Sequence, residues 1–234
     1  MNAIEKLEYG RTYHIYNRGI NSTNLFLCQR NYEHFLELYA RYIHPIVDTY
    51  AWVLLKNHFH LLVRIKEEED MPYLRLPTDL SDCVAADRVN ENMNGTLTGT
   101  LTGSVEHCQV GSCQAKKANP TRQFSHLFNG YARYFNLKTN RHGALFERPF
   151  KRIKVDNEKY FCRLVNYIHY NPVKHGLADH ILHWGWSSYL SIISVNPTRV
   201  SRETVLGYFD NKANFIAYHQ QQSDLRDIEN LLLE

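Results

Sequence analysis

No apolar run in the 234 residues approaches the roughly 20 that a helix needs to cross a bilayer. The opening MNAIEKLEYGRTY also lacks the apolar segment of a signal peptide, so a cytoplasmic protein is expected. Cysteine is scarce. Cys28, Cys83, Cys108, Cys113 and Cys162 are odd in number and scattered, which suits reduced thiols and argues against a disulfide framework. His107, Cys108 and Cys113 give a C-x4-C spacing with no matching second pair, a weak basis for zinc. A strong charge of either sign is missing as well, the net being only +3.

What the chain has is an apolar share of 44% with 13% aromatics, ample for a folded core in one large domain. Its charge is also unevenly placed. From Lys116 to Lys154 there are ten Lys or Arg against the single acid Glu147, a net of +9, which leaves −6 for the remainder. Phe124, Phe128, Tyr131, Tyr134, Phe135, Phe146 and Phe150 are interleaved with these cations. Cations alternating with aromatics suit phosphates and unstacked bases, and a nucleic acid is the expected partner. Arg133, Lys138, Arg141, Arg148, Lys151, Arg152 and Lys154 are the candidate contacts.

Periodicity predicts the elements. RTYHIYNRGI alternates as a first strand and turns at Asn17-Arg18-Gly19; NYEHFLELYARYI has helical spacing after an asparagine suited to capping. TYAWVLLKNHFHLLVRIK is rich in β-branched and aromatic residues and reads as a central strand. Residues 88 to 118, with their Thr-Leu-Thr-Gly repetition, are low in complexity and read as a flexible insertion. PTRQFSHLFNGYARYFNLKTN is helical, and RHGALFERPFKRIKV follows as a strand. DNEKYFCRLVNYIHYNPVKHG is the clearest helix: Asp156 or Asn157 caps it, Phe161, Leu164, Val165 and Ile168 form its apolar stripe, and Pro172 is expected to stop it. The expected domain covers residues 8 to 190, with residues 191 to 234 as a C-terminal appendage.

In the strand KNHFHLLVR, His58 and His60 project to one side and Phe59 to the other. Two neutral imidazoles on one face suit a divalent cation, although an isolated pair equally suits a polar sheet edge. On the clearest helix, Tyr167 and Asn171 are four residues apart and share a face; Tyr170 points away from Asn171. Tyr131 and Tyr134, in the basic helix, are rival tyrosines better placed to stack on bases or fill the core.

An H-x-H strand followed about a hundred residues later by Tyr-x-x-x-Asn within YIHYNPVKHG resembles the HUH single-tyrosine transposases of the IS200-like class. It is similar in particular to the REP-associated tyrosine transposases, from Arg11 to about Leu190, including YHIYNRG, ALFERPFKRI and WSSY. Lys56 stands where that family usually has proline, and the insertion is longer than expected. The resemblance implies an α+β, ferredoxin-like antiparallel sheet with helices packed on one face. It implies His58, His60 and Asn171 as ligands of Mg²⁺ or Mn²⁺ and Tyr167 as nucleophile. It further implies nicking and rejoining of single-stranded DNA near hairpin-forming repeats, through a 5′-phosphotyrosine and a free 3′ hydroxyl. Two other readings remain at this level: a non-catalytic relative that binds hairpin DNA or RNA, and a metal hydrolase of small molecules. Whether the tyrosine works within a monomer or across a homodimer stays open.

Overall fold

The computed structural model describes residues 6 to 74 and 116 to 221. Four strands form the main antiparallel sheet: β1 (Thr12–Arg18), β2 (Val47–Leu54), β3 (His58–Ile65) and β6 (Lys151–Lys154), in the order β2-β3-β1-β6. With α1 (Gln29–Tyr42) between β1 and β2, and α2 (Pro120–Thr139) between β3 and β6, the order of elements is β-α-β-β-α-β. This is the α+β, ferredoxin-like arrangement expected, with β3 in the interior of the sheet. β4 (Tyr73–Leu74) and β5 (Lys116–Lys117) pair antiparallel in a separate compact unit. Residues 75 to 115, which hold most of the insertion and the His107, Cys108 and Cys113 group, lie outside the described residues.

Helices were expected on one face, and they cover both. α1 and α2 lie on the face to which Phe59 points, where its ring meets Phe35 at 5.1 Å and Phe128 at 5.6 Å. Phe59 is fully buried there, and truncating such a side chain to alanine costs about 3 to 5 kcal/mol. The opposite face is covered by α3 (Glu158–Lys174), whose Phe161, Leu164, Val165 and Ile168 share one apolar cluster with Ala51, Val53 and Leu62 of the sheet. β3 is therefore buried on both sides, which is why HFHLLVRI reads as nearly continuous hydrophobicity between its polar residues.

Element ends differ from the sequence reading in instructive ways. α1 begins two residues before Asn31, whose side-chain oxygen instead accepts from the Leu27 and Cys28 amides inside the first turn. The expected strand from Arg141 shortens to Lys151–Lys154, since Leu145 and Phe146 bury against the helices while their backbone bonds to the end of β1. Asn157 caps α3 by accepting from the Tyr160 amide. Pro172 does not stop α3; it removes one amide donor, and the helix runs on to Lys174 with the His175 amide bonding to Asn171 O. Gly19 is required by close approach, because a Cβ there would sit 2.0 Å from the Thr23 carbonyl oxygen.

The stretch read as an appendage from residue 191 supplies part of the core. α4 (Tyr189–Ile193), α5 (Arg202–Gly207) and α6 (Lys212–Gln220) contribute Tyr189, Ile192, Val205 and Phe215 to the cluster beneath α3. A buried polar chain fastens them. His219 Nδ1 bonds to Phe215 O at 2.8 Å, His219 Nε2 to His169 Nδ1 at 2.9 Å, and His169 Nε2 to Ser188 Oγ at 2.8 Å. Ser188 Oγ in turn accepts from the Trp52 amide of β2 at 2.9 Å.

Candidate active site

The α3 face of the sheet carries the residues singled out by their spacing. Strand alternation turns His58 and His60 toward it, and the antiparallel register sets Tyr16 of β1 beside His60 and Arg18 beside His58. α3 crosses above. The Tyr167 ring meets the His60 ring edge to face at 5.5 Å, and Lys174 Nζ lies 5.5 Å from the Tyr167 ring centre. Asn171 is fully buried, and its Nδ2 donates to the backbone carbonyl of Tyr167, one helical turn earlier, at 2.9 Å. The His pair, Tyr167 and Asn171, separated by about a hundred residues of sequence, are thus brought together.

Electrostatics keep the imidazoles neutral. Burial drives His58 down to about 4, helped by nearby His175 and eased by the adjacent Asn171 side chain. Burial also holds His60 well below 6.5, with His14 and His58 adding to the effect. A neutral imidazole offers one lone pair, the form a cation requires. His58 Nδ1 is engaged by Asn57 Oδ1 at 2.7 Å and His60 Nδ1 by His14 Nε2 at 2.9 Å, so Nε2 is the nitrogen of each ring that these partners do not engage. Asn171 Oδ1 is buried and meets no donor in standard hydrogen-bond geometry, while the Asn171 side chain lies against His58 closely enough to favour the protonated form of that ring. Two neutral nitrogens beside a buried amide oxygen fit a hard or borderline divalent cation. Among the described residues no three His, Cys, Asp or Glu group to hold a metal.

The rival tyrosines are placed elsewhere. Tyr131 is fully buried on the Phe59 face and its hydroxyl donates to Leu25 O at 2.5 Å. Tyr134 packs on His34, with ring centres 3.9 Å apart. Tyr170 is only half-buried on α3.

The basic candidates divide. Lys151 pairs in register with Tyr16 and faces the histidine side, whereas Arg152 and Lys154 point to the other side of the sheet. Arg152 stacks on Phe150, with the guanidinium 3.8 Å from the ring centre, and Lys154 pairs with Glu8 at 3.2 Å. Arg141 is tied to Asn136 and Ala144 O, while Arg133, Lys138 and Arg148 are exposed. Arg148 and Arg152 line a cleft of about 770 Å³ between α2 and the loop before β6, with Asn17, Asn129, Phe128 and Phe150.

Sequence reasoning missed three neighbours of the pair. His175 lies with its ring 4.9 Å from that of His58, one helical turn beyond Asn171. Arg18 sits across from His58 and pairs with Glu147 at 2.5 Å. His14 is wholly buried against His60. The helical spacing from Asn171 to His175 was available as a signal; the other two depend on strand register.

No protein-family model matches the chain. A Haemophilus influenzae protein whose curated name places it among the REP-associated tyrosine transposases is 22% identical over 148 residues, covering 62% of this chain and 61% of that relative. The match therefore spans less than two thirds of the relative's length. A solved structure of a REP-associated tyrosine transposase bound to a REP hairpin superposes with a TM-score of 0.51 at 16% identity, over 84% of this chain and 88% of that one. At that identity the superposition speaks for the fold. In sequence and in fold, then, the chain is similar to the REP-associated tyrosine transposases.

Proposed function

We propose that this protein nicks and rejoins single-stranded DNA at hairpin-forming repeats, through a covalent 5′-phosphotyrosine link at Tyr167 and with Mg²⁺ or Mn²⁺ held by His58, His60 and Asn171. The observation that carries the reading is the convergence of the Tyr167 ring and the buried Asn171 side chain on the two histidines.

A bound cation would neutralise a non-bridging phosphate oxygen and polarise phosphorus. The chain's own residues do the rest. His58 and His60 present neutral ring nitrogens, and Asn171 presents its carbonyl oxygen. The Tyr167 oxygen forms the new bond to phosphorus as the bond to the 3′ oxygen breaks; the phenolic proton is lost and the departing 3′ oxygen gains one. Lys174, poised over the Tyr167 ring, favours negative charge developing on the phenolate. Phenolate is a good leaving group, so the link is readily reversed, which suits strand transfer better than hydrolysis.

Lys151 and Arg18, on the histidine face or at its rim, are the cations best placed to hold phosphates next to the reacting one. The cleft lined by Arg148 and Arg152 gives the strand a further basic surface. The test is incubation of a labelled hairpin oligonucleotide with the protein and Mg²⁺ or Mn²⁺, followed by a denaturing gel. A cut strand and a protein-linked band that both require metal are expected. A shift under native conditions with no adduct after denaturation would establish a binding protein instead.

A further inference from the structure

We propose that His14 is a positioning residue for His60: it grips the ring at Nδ1 and so keeps the Nε2 lone pair turned toward the site. The inference rests on the reading of His60 as a metal ligand. His14 lies on β1, two residues before the Tyr16 that pairs with His60, and strand alternation turns its side chain to the same face. Its Nε2 meets His60 Nδ1 at 2.9 Å, and the two rings stack with centres 5.1 Å apart and planes 22° from parallel. Both side chains are buried.

A neutral imidazole has one N–H and one lone pair. When His60 donates from Nδ1 to His14, Nε2 keeps its lone pair; when His14 donates instead, His60 carries its proton on Nε2 and cannot ligate. The hydrogen bond also fixes the rotation of the His60 ring, which the Tyr167 ring supports from the other side. Metal-binding histidines ordinarily donate their other ring N–H to a carboxylate, a backbone carbonyl or water, and so fix tautomer and orientation; in the proposed arrangement His14 Nε2 takes that acceptor's place.

His14 itself gains little from its place. Its Nδ1 is buried and makes no hydrogen bond, a cost that a phenylalanine of similar volume would avoid. A phenylalanine could keep the stacking on Tyr16 and His60, so what an imidazole adds at this position is the nitrogen facing His60.

The experiment uses the full chain and reads Mn²⁺ binding by electron paramagnetic resonance and the His60 tautomer by nitrogen-detected NMR. His14→Phe keeps the volume without the hydrogen bond. It should weaken Mn²⁺ binding by about 10- to 100-fold and deplete the Nδ1–H form of His60. His14→Gln, whose amide oxygen can accept from Nδ1, should recover most of both. Hairpin affinity in EDTA should be the same in all three proteins. Equal Mn²⁺ affinity in His14→Phe, no recovery in His14→Gln, or an Nε2–H tautomer at His60 in the metal-free parent overturns the proposal. His60→Ala separates the two readings: if it binds Mn²⁺ as the parent does, the ligand assignment fails, while the tautomer measurement still judges the grip of His14.

Discussion

Acid should unfold this protein early, and the buried histidines set the scale. Loss of hydration lowers His14 from 6.5 to about 3 and His219 to about 4, and holds His60 and His169 well below 6.5. As pH falls through 6.5 the unfolded chain takes up protons at these positions and the folded chain does not, so stability is complete above that value and is lost below it. The loss continues until the folded values near 4 and 3 are reached. At about pH 5, the shifts at His14 and His219 each correspond to about 2 kcal/mol, or about 4 kcal/mol together. Domains of this kind have only about 5 to 15 kcal/mol in total. Urea unfolding followed by tryptophan fluorescence at about pH 7.5 and about pH 5 should show a fall of that size or more, since His60 and His169 act in the same direction. A fall of less than about 1 kcal/mol would refute the view that these rings are buried and neutral.

Three further outcomes follow from the geometry. Lys151→Ala should weaken hairpin binding and lower the salt slope by about 0.7 to 0.9, whereas Lys154→Ala, already paired with Glu8 on the other side, should change it little; fluorescence anisotropy across a salt series reads both. Truncation after residue 190 should leave an insoluble or molten chain by circular dichroism and proteolysis, because it deletes Ile192, Val205 and Phe215 from beneath α3. Asn171→Ala should raise the metal concentration needed for cleavage and lower its rate less than His60→Ala does, since water can replace one neutral ligand; full activity of Asn171→Ala at limiting metal would remove it from the site.

The parts legible in sequence are those that local periodicity encodes. Alternation put His58 and His60 on one face, and a spacing of four put Tyr167 and Asn171 on another; the structure brings those faces together. His14 was hidden because its partner lies 46 residues away and only the β1–β3 register joins them. The cations of KRIK looked like one patch because charge counts ignore alternation, which sends Lys151 to one side and Arg152 and Lys154 to the other. The last three helices are short, and their apolar residues are too few to show a face; their place in the core is decided by the long-range contacts of Phe215 and the His219–His169–Ser188 chain. Both faces of the sheet are covered for the same reason: α3 follows the β-α-β-β-α-β unit and packs where that unit alone leaves Leu62 and Val53 exposed.

The central claim is that the Tyr167 oxygen becomes bonded to phosphorus. The direct measurement is mass spectrometry of the peptide containing VNYIHYNPVK after the metal-dependent complex with a hairpin oligonucleotide is trapped and digested. The account predicts a nucleotide on Tyr167 in the parent, and in Tyr167→Phe retained hairpin binding with neither nick nor adduct, since the ring still packs against His60. A nucleotide on Tyr170, Tyr131 or Tyr134, or an adduct that survives in Tyr167→Phe, would contradict it.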